Sequence, residues 1–294
     1  MRAFGGRENG PNLAAIVKPR VRILLFHGFS CSDDTRPVPD SFRKILGVRF
    51  YTADLEGLID LVAGGGLIVV PSAPVMARLA DDEAHREAME GADFAVTDSA
   101  FMVILWVMLT GERVRRITGL RLLRGLFSGG GFRARGETFW VMPSAADSDA
   151  NLAWLRSKGF DVSSDDAYVA PVYPREGALS DDRLREIIGA RRPRLVIIAL
   201  SGGVQERLGW YLRKNLGYMP TILCIGGAIA FLSGRQTRIP VWADRMALGW
   251  FLRLIFSPRA FTAKLKGTHR LVPMMWKYRS GSIRGGRAPT MHPG

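Results

Sequence analysis

One carboxylate, Asp98, stands between the apolar residues Phe94, Ala95 and Val96 and an unbroken apolar run from Ala100 to Leu109. A lone acid at such a boundary can cap the following helix, by accepting hydrogen bonds from that helix's first amides. It can also serve as a general base for a hydroxyl brought within hydrogen-bond reach, and apolar surroundings would make it the stronger proton acceptor. The local pattern leaves both readings open.

Other groups with chemical potential are the glycine turns Ser201-Gly202-Gly203 and Gly226-Gly227. Bare backbone N–H groups at a helix start can receive a phosphate or a polar ligand edge, and glycines there equally allow close strand-to-helix packing. His27-Gly28-Phe29 follows an apolar run, as an oxyanion segment would, but no G-x-S-x-G pentapeptide supplies the nucleophile such a hydrolase needs. Asp147-Ser148-Asp149 has the D-x-D form of a metal-diphosphate site, yet acids at a helix start are favoured by the helix dipole alone, and that explanation is preferred. Gly129 to Gly131 lacks both the lysine of a P-loop and the spacing of a dinucleotide fingerprint, and is read as a flexible connection. Cys31 and Cys224 are far apart and without metal spacing, which argues against a disulfide framework or zinc site and for a reducing compartment.

The elements that must position these groups alternate. A helix is expected from Asp54 to Ala63 and a strand from Gly66 to Val70; Ser72 then caps a helix running to Met89, with Pro74 in its first turn. Strand Phe94 to Thr97 leads into Asp98 and a further helix. In the second half, strand Thr138 to Met142 precedes helix Ala146 to Lys158, and helix Asp181 to Ala190 precedes strand Leu195 to Leu200. A helix with Gln205 and Glu206 in its first turn and strand Thr221 to Ile225 complete the pattern. Nearly all-apolar strands alternating with helices predict an α/β fold, a Rossmann-like parallel sheet covered on both faces. Ligands of such sheets bind beyond the carboxyl ends of the strands, where Asp98, Ser201 to Gln205, and Gly226 with Gly227 all fall.

The chain has 294 residues, 47% of them hydrophobic, enough for a substantial core. Its net charge is +14, and ten basic residues with no acid follow Asp244. The expected organisation is an extension at 1–42 with one strand at most, an α/β core at 43–244, and a basic helical appendage and tail at 245–294. The N-terminus makes a poor signal peptide, and no stretch reaches the roughly 18 apolar residues of a membrane span. Trp250, Phe251, Leu254, Ile255 and Phe256 interleave with Arg253 and Arg259, and Leu271, Met274, Met275, Trp276 and Tyr278 follow among further basic residues. That mixture suits an anionic membrane surface better than nucleic acid, which has no use for the aliphatic side chains.

Five segments in order resemble the WecG/TagA/CpsF family of bacterial glycosyltransferases, over about three quarters of the chain. ILGVRFYTADLEGLIDLV resembles the family's opening, ADFAVTDSA its Pro-Asp-Gly segment, RRITGLRLL its Thr-Gly-x-Asp motif and IIALSGGVQE its Pro-Lys-Gln-Glu loop. The run from Cys224 to Phe261 resembles its long C-terminal signature. The resemblance implies an inverting, metal-independent transferase that needs no cofactor. It would move a hexose or N-acetylhexosamine from a UDP-sugar to a polyprenyl-diphosphate-linked sugar, in making a bacterial exopolysaccharide, capsule or wall polymer. Asp98 falls on the family's proposed general base, Gln205 on its glutamine near the donor, and Arg253 on an arginine suited to a diphosphate leaving group, with Arg259 beside it. Ser72, Thr118, Gly119, Gln205, Gly226, Gly227 and Arg259 are the expected substrate contacts. Such an enzyme would sit in the cytoplasm, peripheral on the inner face of the membrane, with no nucleic-acid partner and with room for a homo-oligomer. The chain departs from the pattern at Val70, Ser72, Ser99, Phe101, Arg121, Pro143, Ser144, Gly203, Val204, Ala230, Gly249 and Ser257. Those departures support the alternative of a non-catalytic member that binds sugar nucleotide or lipid carrier as a scaffold.

Overall fold

The computed structural model describes residues 41–129, 131–234 and 267–283. They form an eight-stranded sheet in the order β1-β2-β4-β3-β8-β7-β5-β6. The strands are β1 (Phe42–Ile45), β2 (Val48–Tyr51), β3 (Gly66–Val69), β4 (Phe94–Val96), β5 (Thr138–Met142), β6 (Ala167–Val169), β7 (Leu195–Ile198) and β8 (Thr221–Cys224). From β2 to β6 every pairing is parallel, whereas β1 runs antiparallel to β2 at one edge. The expected extension at 1–42 lies outside the described residues except for Ser41 and Phe42, and Phe42 begins β1.

Among the described residues ten α-helices surround the sheet: α1 (Leu55–Ala63), α2 (Ala73–Ala77), α3 (Glu83–Glu90), α4 (Ala100–Thr110), α5 (Gly119–Ser128), α6 (Ala145–Ser157), α7 (Asp182–Arg191), α8 (Val204–Asn215), α9 (Ala228–Leu232) and α10 (Leu271–Tyr278). Side chains alternate across a strand, so each central strand feeds two cores. Leu67, Val69, Val196, Ile198, Ile222 and Cys224 point into one, with Met76 of α2, Met89 of α3, Met102 of α4, Ile188 of α7, Leu208 of α8 and Met275 of α10. Ile68, Leu195, Ile197 and Leu223 point into the other, with Leu58 of α1, Leu126 of α5, Leu155 of α6 and Ile229 of α9. This double cover is why the strands read as continuous apolar runs. α10 falls within the segment assigned to an appendage from the sequence; it buries Leu271, Met274 and Met275 in the first core and packs against α2 and α4.

Two elements differ from the expectation. The single helix from Ser72 to Met89 is α2, a short 3-10 turn at Arg78–Ala80, and α3. Asp82 adopts extended backbone and caps α3 by accepting from the His85 N–H, so the helical direction restarts there. Ser72 occupies the N-cap position of α2, but its side chain makes no capping bond. The β1–β2 hairpin was not expected at all. Its two-residue turn, Leu46-Gly47, has φ of 53° and 83°, as a type I′ turn requires. Leucine is a poor signal for that turn; tertiary structure holds it there, since Leu46 is fully buried and its N–H donates to the Arg279 carbonyl at 2.7 Å.

Candidate functional site

β4, β3, β8 and β7 are neighbours at the centre of the sheet, and their carboxyl ends carry Asp98, Ser72, the Gly226-Gly227 turn and the Ser201–Gly203 turn. The chain leaves β3 into α2 on one face and leaves β8 into α9 on the other. Adjacent strands whose connections part to opposite faces open a crevice between them, the place where α/β sheets bind ligands.

Asp98 does not cap the helix that follows it. Ser99 does, accepting from the Met102 N–H at 3.3 Å. Asp98 is instead turned to a different helix: its Oδ1 accepts from the Gly119 N–H at 3.1 Å, at the first residue of α5. Thr118 caps the same helix by accepting from the Arg121 N–H at 3.2 Å. Two of the amides orphaned at that helix start are thereby satisfied, and Asp98 and Thr118-Gly119 are brought together from positions 21 residues apart. The segment between is pinned as well. Thr97 Oγ1 donates to the Arg115 carbonyl at 2.6 Å and accepts from the Ile117 N–H, while Arg116 Nε donates to the Asp98 carbonyl at 2.8 Å. A side chain on Gly119 would crowd Val70 just after β3 and come into contact with Ala228 at the start of α9, so this cluster borders the crevice.

Gln205 links the two glycine turns. Its Oε1 accepts from the Gly226 N–H at 2.7 Å, and its Nε2 donates to Glu206 Oε1 at 2.9 Å. Glu206 Oε2 in turn accepts from the Gly203 N–H at 2.6 Å. Gly203 and Gly226 have φ of 90° and 57°, a left-handed backbone that glycine adopts without steric cost. Gln205 and Glu206 are both buried, so this arrangement positions the turns at the sheet edge. Gly227 stands at the N-cap of α9 with no side chain to cap it. Ser72 is exposed beside β3. Arg253 and Arg259 lie outside the described residues, as do Gly249, Ser257 and Gly130.

Sequence reasoning missed a buried polar group beneath these turns. Arg207 Nε donates to the Gly203 carbonyl and Nη2 to the Pro174 carbonyl, both at 2.7 Å, and Nη1 donates to the Gly177 carbonyl. Asp82 faces Arg207 Nε at 3.9 Å and accepts from the Gly177 N–H. Arg78 Nη2 adds a bond to the Arg175 carbonyl at 2.7 Å. Together they tie the segment after β6 to the start of α8. The signal available in the sequence, an arginine three residues after Val204 and one before Leu208 on an apolar helix face, is too common to single out. Burial lowers the proton affinity of Arg207, and Asp82 opposes that shift.

His85 lies in the same region, fully buried, with Nε2 at 3.0 Å from the Val75 carbonyl. A carbonyl only accepts, so Nε2 carries the proton and Nδ1, which has no partner, is bare. Burial lowers the pKa of His85 and holds it neutral. The folded state therefore binds fewer protons than the unfolded state between that lowered pKa and about 6.5, and the histidine's contribution, complete above about pH 6.5, is lost as pH falls through this window. The expected result is that His85→Gln, which keeps a donor for Val75, flattens the decline of the unfolding midpoint below about pH 6.5 relative to wild type. An unchanged slope would show that other groups carry the acid sensitivity.

Asp147 sits in the first turn of α6, where Ser144 accepts from its N–H at 3.1 Å and donates to its carboxylate at 2.7 Å, so the first acid of the D-x-D tripeptide belongs to the helix cap. Among the described residues no group of three or more His, Cys, Asp or Glu side chains is placed to hold a metal ion, and no helix is long and apolar enough to cross a membrane. Comparison with curated proteins gave no match. The family model described as the glycosyl transferase WecG/TagA/CpsF family matches residues 43–285, from β1 past α10. With that span covering most of the chain and the crevice built from its matched segments, the protein belongs to the WecG/TagA/CpsF family of glycosyl transferases.

Proposed function

We propose that the protein transfers a hexose or N-acetylhexosamine from a UDP-sugar to a polyprenyl-diphosphate-linked sugar, with inversion and without a metal, at the inner face of a bacterial cytoplasmic membrane. Its product would feed an exopolysaccharide, capsule or wall polymer. The observation that carries this reading is Asp98: a carboxylate at the crevice, oriented through Oδ1 by the Gly119 N–H and not occupied in capping α4.

In the reaction, an acceptor hydroxyl gives its proton to Asp98 as its oxygen bonds to the anomeric carbon. The bond from that carbon to the UDP oxygen breaks on the opposite face, and UDP leaves with the electron pair. One base suffices for a single inverting displacement. The negative charge that develops on the diphosphate calls for donors, and Arg253, with Arg259 beside it, is assigned that task. Gly226 and Gly227 present backbone at the crevice, and Gln205 acts by holding the Gly226 turn in place. Ser72, Thr118 and Gly119 are assigned as further substrate contacts, Gly119 beside Asp98.

Single-turnover assays with a panel of UDP-sugars and a short polyprenyl diphosphate sugar test this. Product with one donor, and inverted configuration at the new linkage, are expected. Tight binding of a donor with no product from any would replace the transferase with a scaffold.

A further inference from the structure

α4 is apolar on every side, yet only part of its surface is buried. Met102, Leu105 and Trp106 enter the core, whereas Phe101, Ile104 and Met108, spaced along one stripe, are 44%, 56% and 77% exposed. A helix that is apolar all round is ordinarily buried all round. α10 packs against α4 and adds Val272 and Trp276, the latter 66% exposed. The charged residues that α4, α10 and the turns after them carry are mostly basic. Exposed Arg113 and Arg115 follow α4, and exposed Lys277 and Arg279 close α10. Across residues 100–116 and 267–283 the one acid is Glu112, which pairs with Arg43 at 3.3 Å; Asp81 pairs with Arg270 before α10 at 2.6 Å, and Glu90 accepts from Ser282 after it, so Arg113, Arg115, Lys277 and Arg279 are the cations these segments add.

We infer that the exposed stripe of α4, with Trp276 of α10, is the surface by which the protein seats itself on an anionic lipid bilayer, the apolar side chains entering the headgroup boundary and the flanking arginines and lysine meeting lipid phosphates. Apolar residues rimmed by cations match such an interface on both counts. A second copy of the chain matches on one count only: a two-fold contact through this stripe would bring the same arginines of both copies together, and the one acid of these segments, Glu112, already pairs with Arg43. Nucleic acid would meet the cations but gain nothing from Ile104 and Met108. The purpose of the seating rests on the transferase reading. Asp98 lies two residues before α4, so a bilayer-seated α4 holds the crevice at the lipid surface where a polyprenyl-linked acceptor resides. The binding itself does not depend on that reading.

Flotation of the full chain with phosphatidylglycerol-rich and pure phosphatidylcholine vesicles tests the inference. The double substitution Ile104→Gln with Met108→Gln, and separately Trp276→Gln, change exposed side chains and should leave the unfolding midpoint unchanged. The expected result is wild-type binding that needs the anionic lipid and weakens with salt, and about a tenfold or greater loss of partitioning in the double variant. Turnover of a water-soluble short-chain acceptor should be equal in wild type and variants, while turnover of a vesicle-embedded acceptor falls with partitioning. Variants that partition like wild type, or wild-type binding that ignores lipid charge, would overturn the inference, as would a shift from dimer to monomer on substitution, which would make the stripe a self-contact. Failure of wild type on the soluble acceptor would count against the transferase reading alone, since flotation is read without catalysis.

Discussion

Asp98→Asn is expected to lower turnover by about a hundred- to ten-thousand-fold, the range a positioned general base supplies, and to leave donor affinity unchanged. The asparagine carbonyl oxygen can accept from the Gly119 N–H as Oδ1 does now, so the start of α5 keeps this partner while the carboxylate's proton acceptance is removed. Asp98→Ala would also strip that bond from Gly119, at a stability cost of about 0.5–2 kcal/mol, as for a lost helix cap. Single-turnover transfer beside a donor-binding isotherm separates the two effects. Normal turnover in the asparagine variant would remove Asp98 from the chemistry and leave it as the anchor of α5.

The second large effect is structural. Arg207→Met should destabilise the protein by about 3–5 kcal/mol, the cost of breaking a buried charge pair from one side. It strips the donor from the carbonyls of Gly203, Pro174 and Gly177 and leaves Asp82 without its cation. The segment from Pro171 to Ser180 should lose protection from proteolysis before the sheet does, because this arginine and Arg78 bind its backbone to the core. Adding Asp82→Asn to Arg207→Met should recover part of the loss, since the stranded charge is then gone; the coupling is measured by a double-mutant cycle of denaturant midpoints. A change within about 0.5 kcal/mol, the range of ordinary surface substitutions, would show that the carbonyls find other partners.

The parts of this fold legible in the sequence are those that local chemistry repeats. Strands β3, β4, β5, β7 and β8 are short runs of apolar residues bounded by turn residues, and their ends fell within a residue or two of expectation because both faces of the sheet are covered. Asp54 and Asp181 stand at the start of their helices with the capping bonds that their type suggests. The hairpin at Leu46-Gly47, the break at Asp82 and the Arg207 group were not legible. The hairpin and the Arg207 group depend on partners far along the chain, Arg279 for Leu46 and Pro174 for Arg207, whereas the break is a local cap, Asp82 on the His85 N–H, hidden within a run that otherwise reads as helix.

The candidate site divides the same way. The sequence by itself determined that an acid follows a buried strand, that glycine turns follow two others, and that five segments occur in the order of one transferase family. It could not decide between cap and base for Asp98, because both need the same residue at the same place in the chain. Only the tertiary structure decided that point in part: Ser99 takes the cap of α4, and Asp98 reaches across to Gly119. It likewise turned Gln205 into the link between two glycine turns, an interaction that spans 21 residues. The physical reason is range. Capping and burial are written in neighbouring residues, whereas the orientation of a side chain at a sheet edge is set by whichever distant backbone the fold brings to meet it.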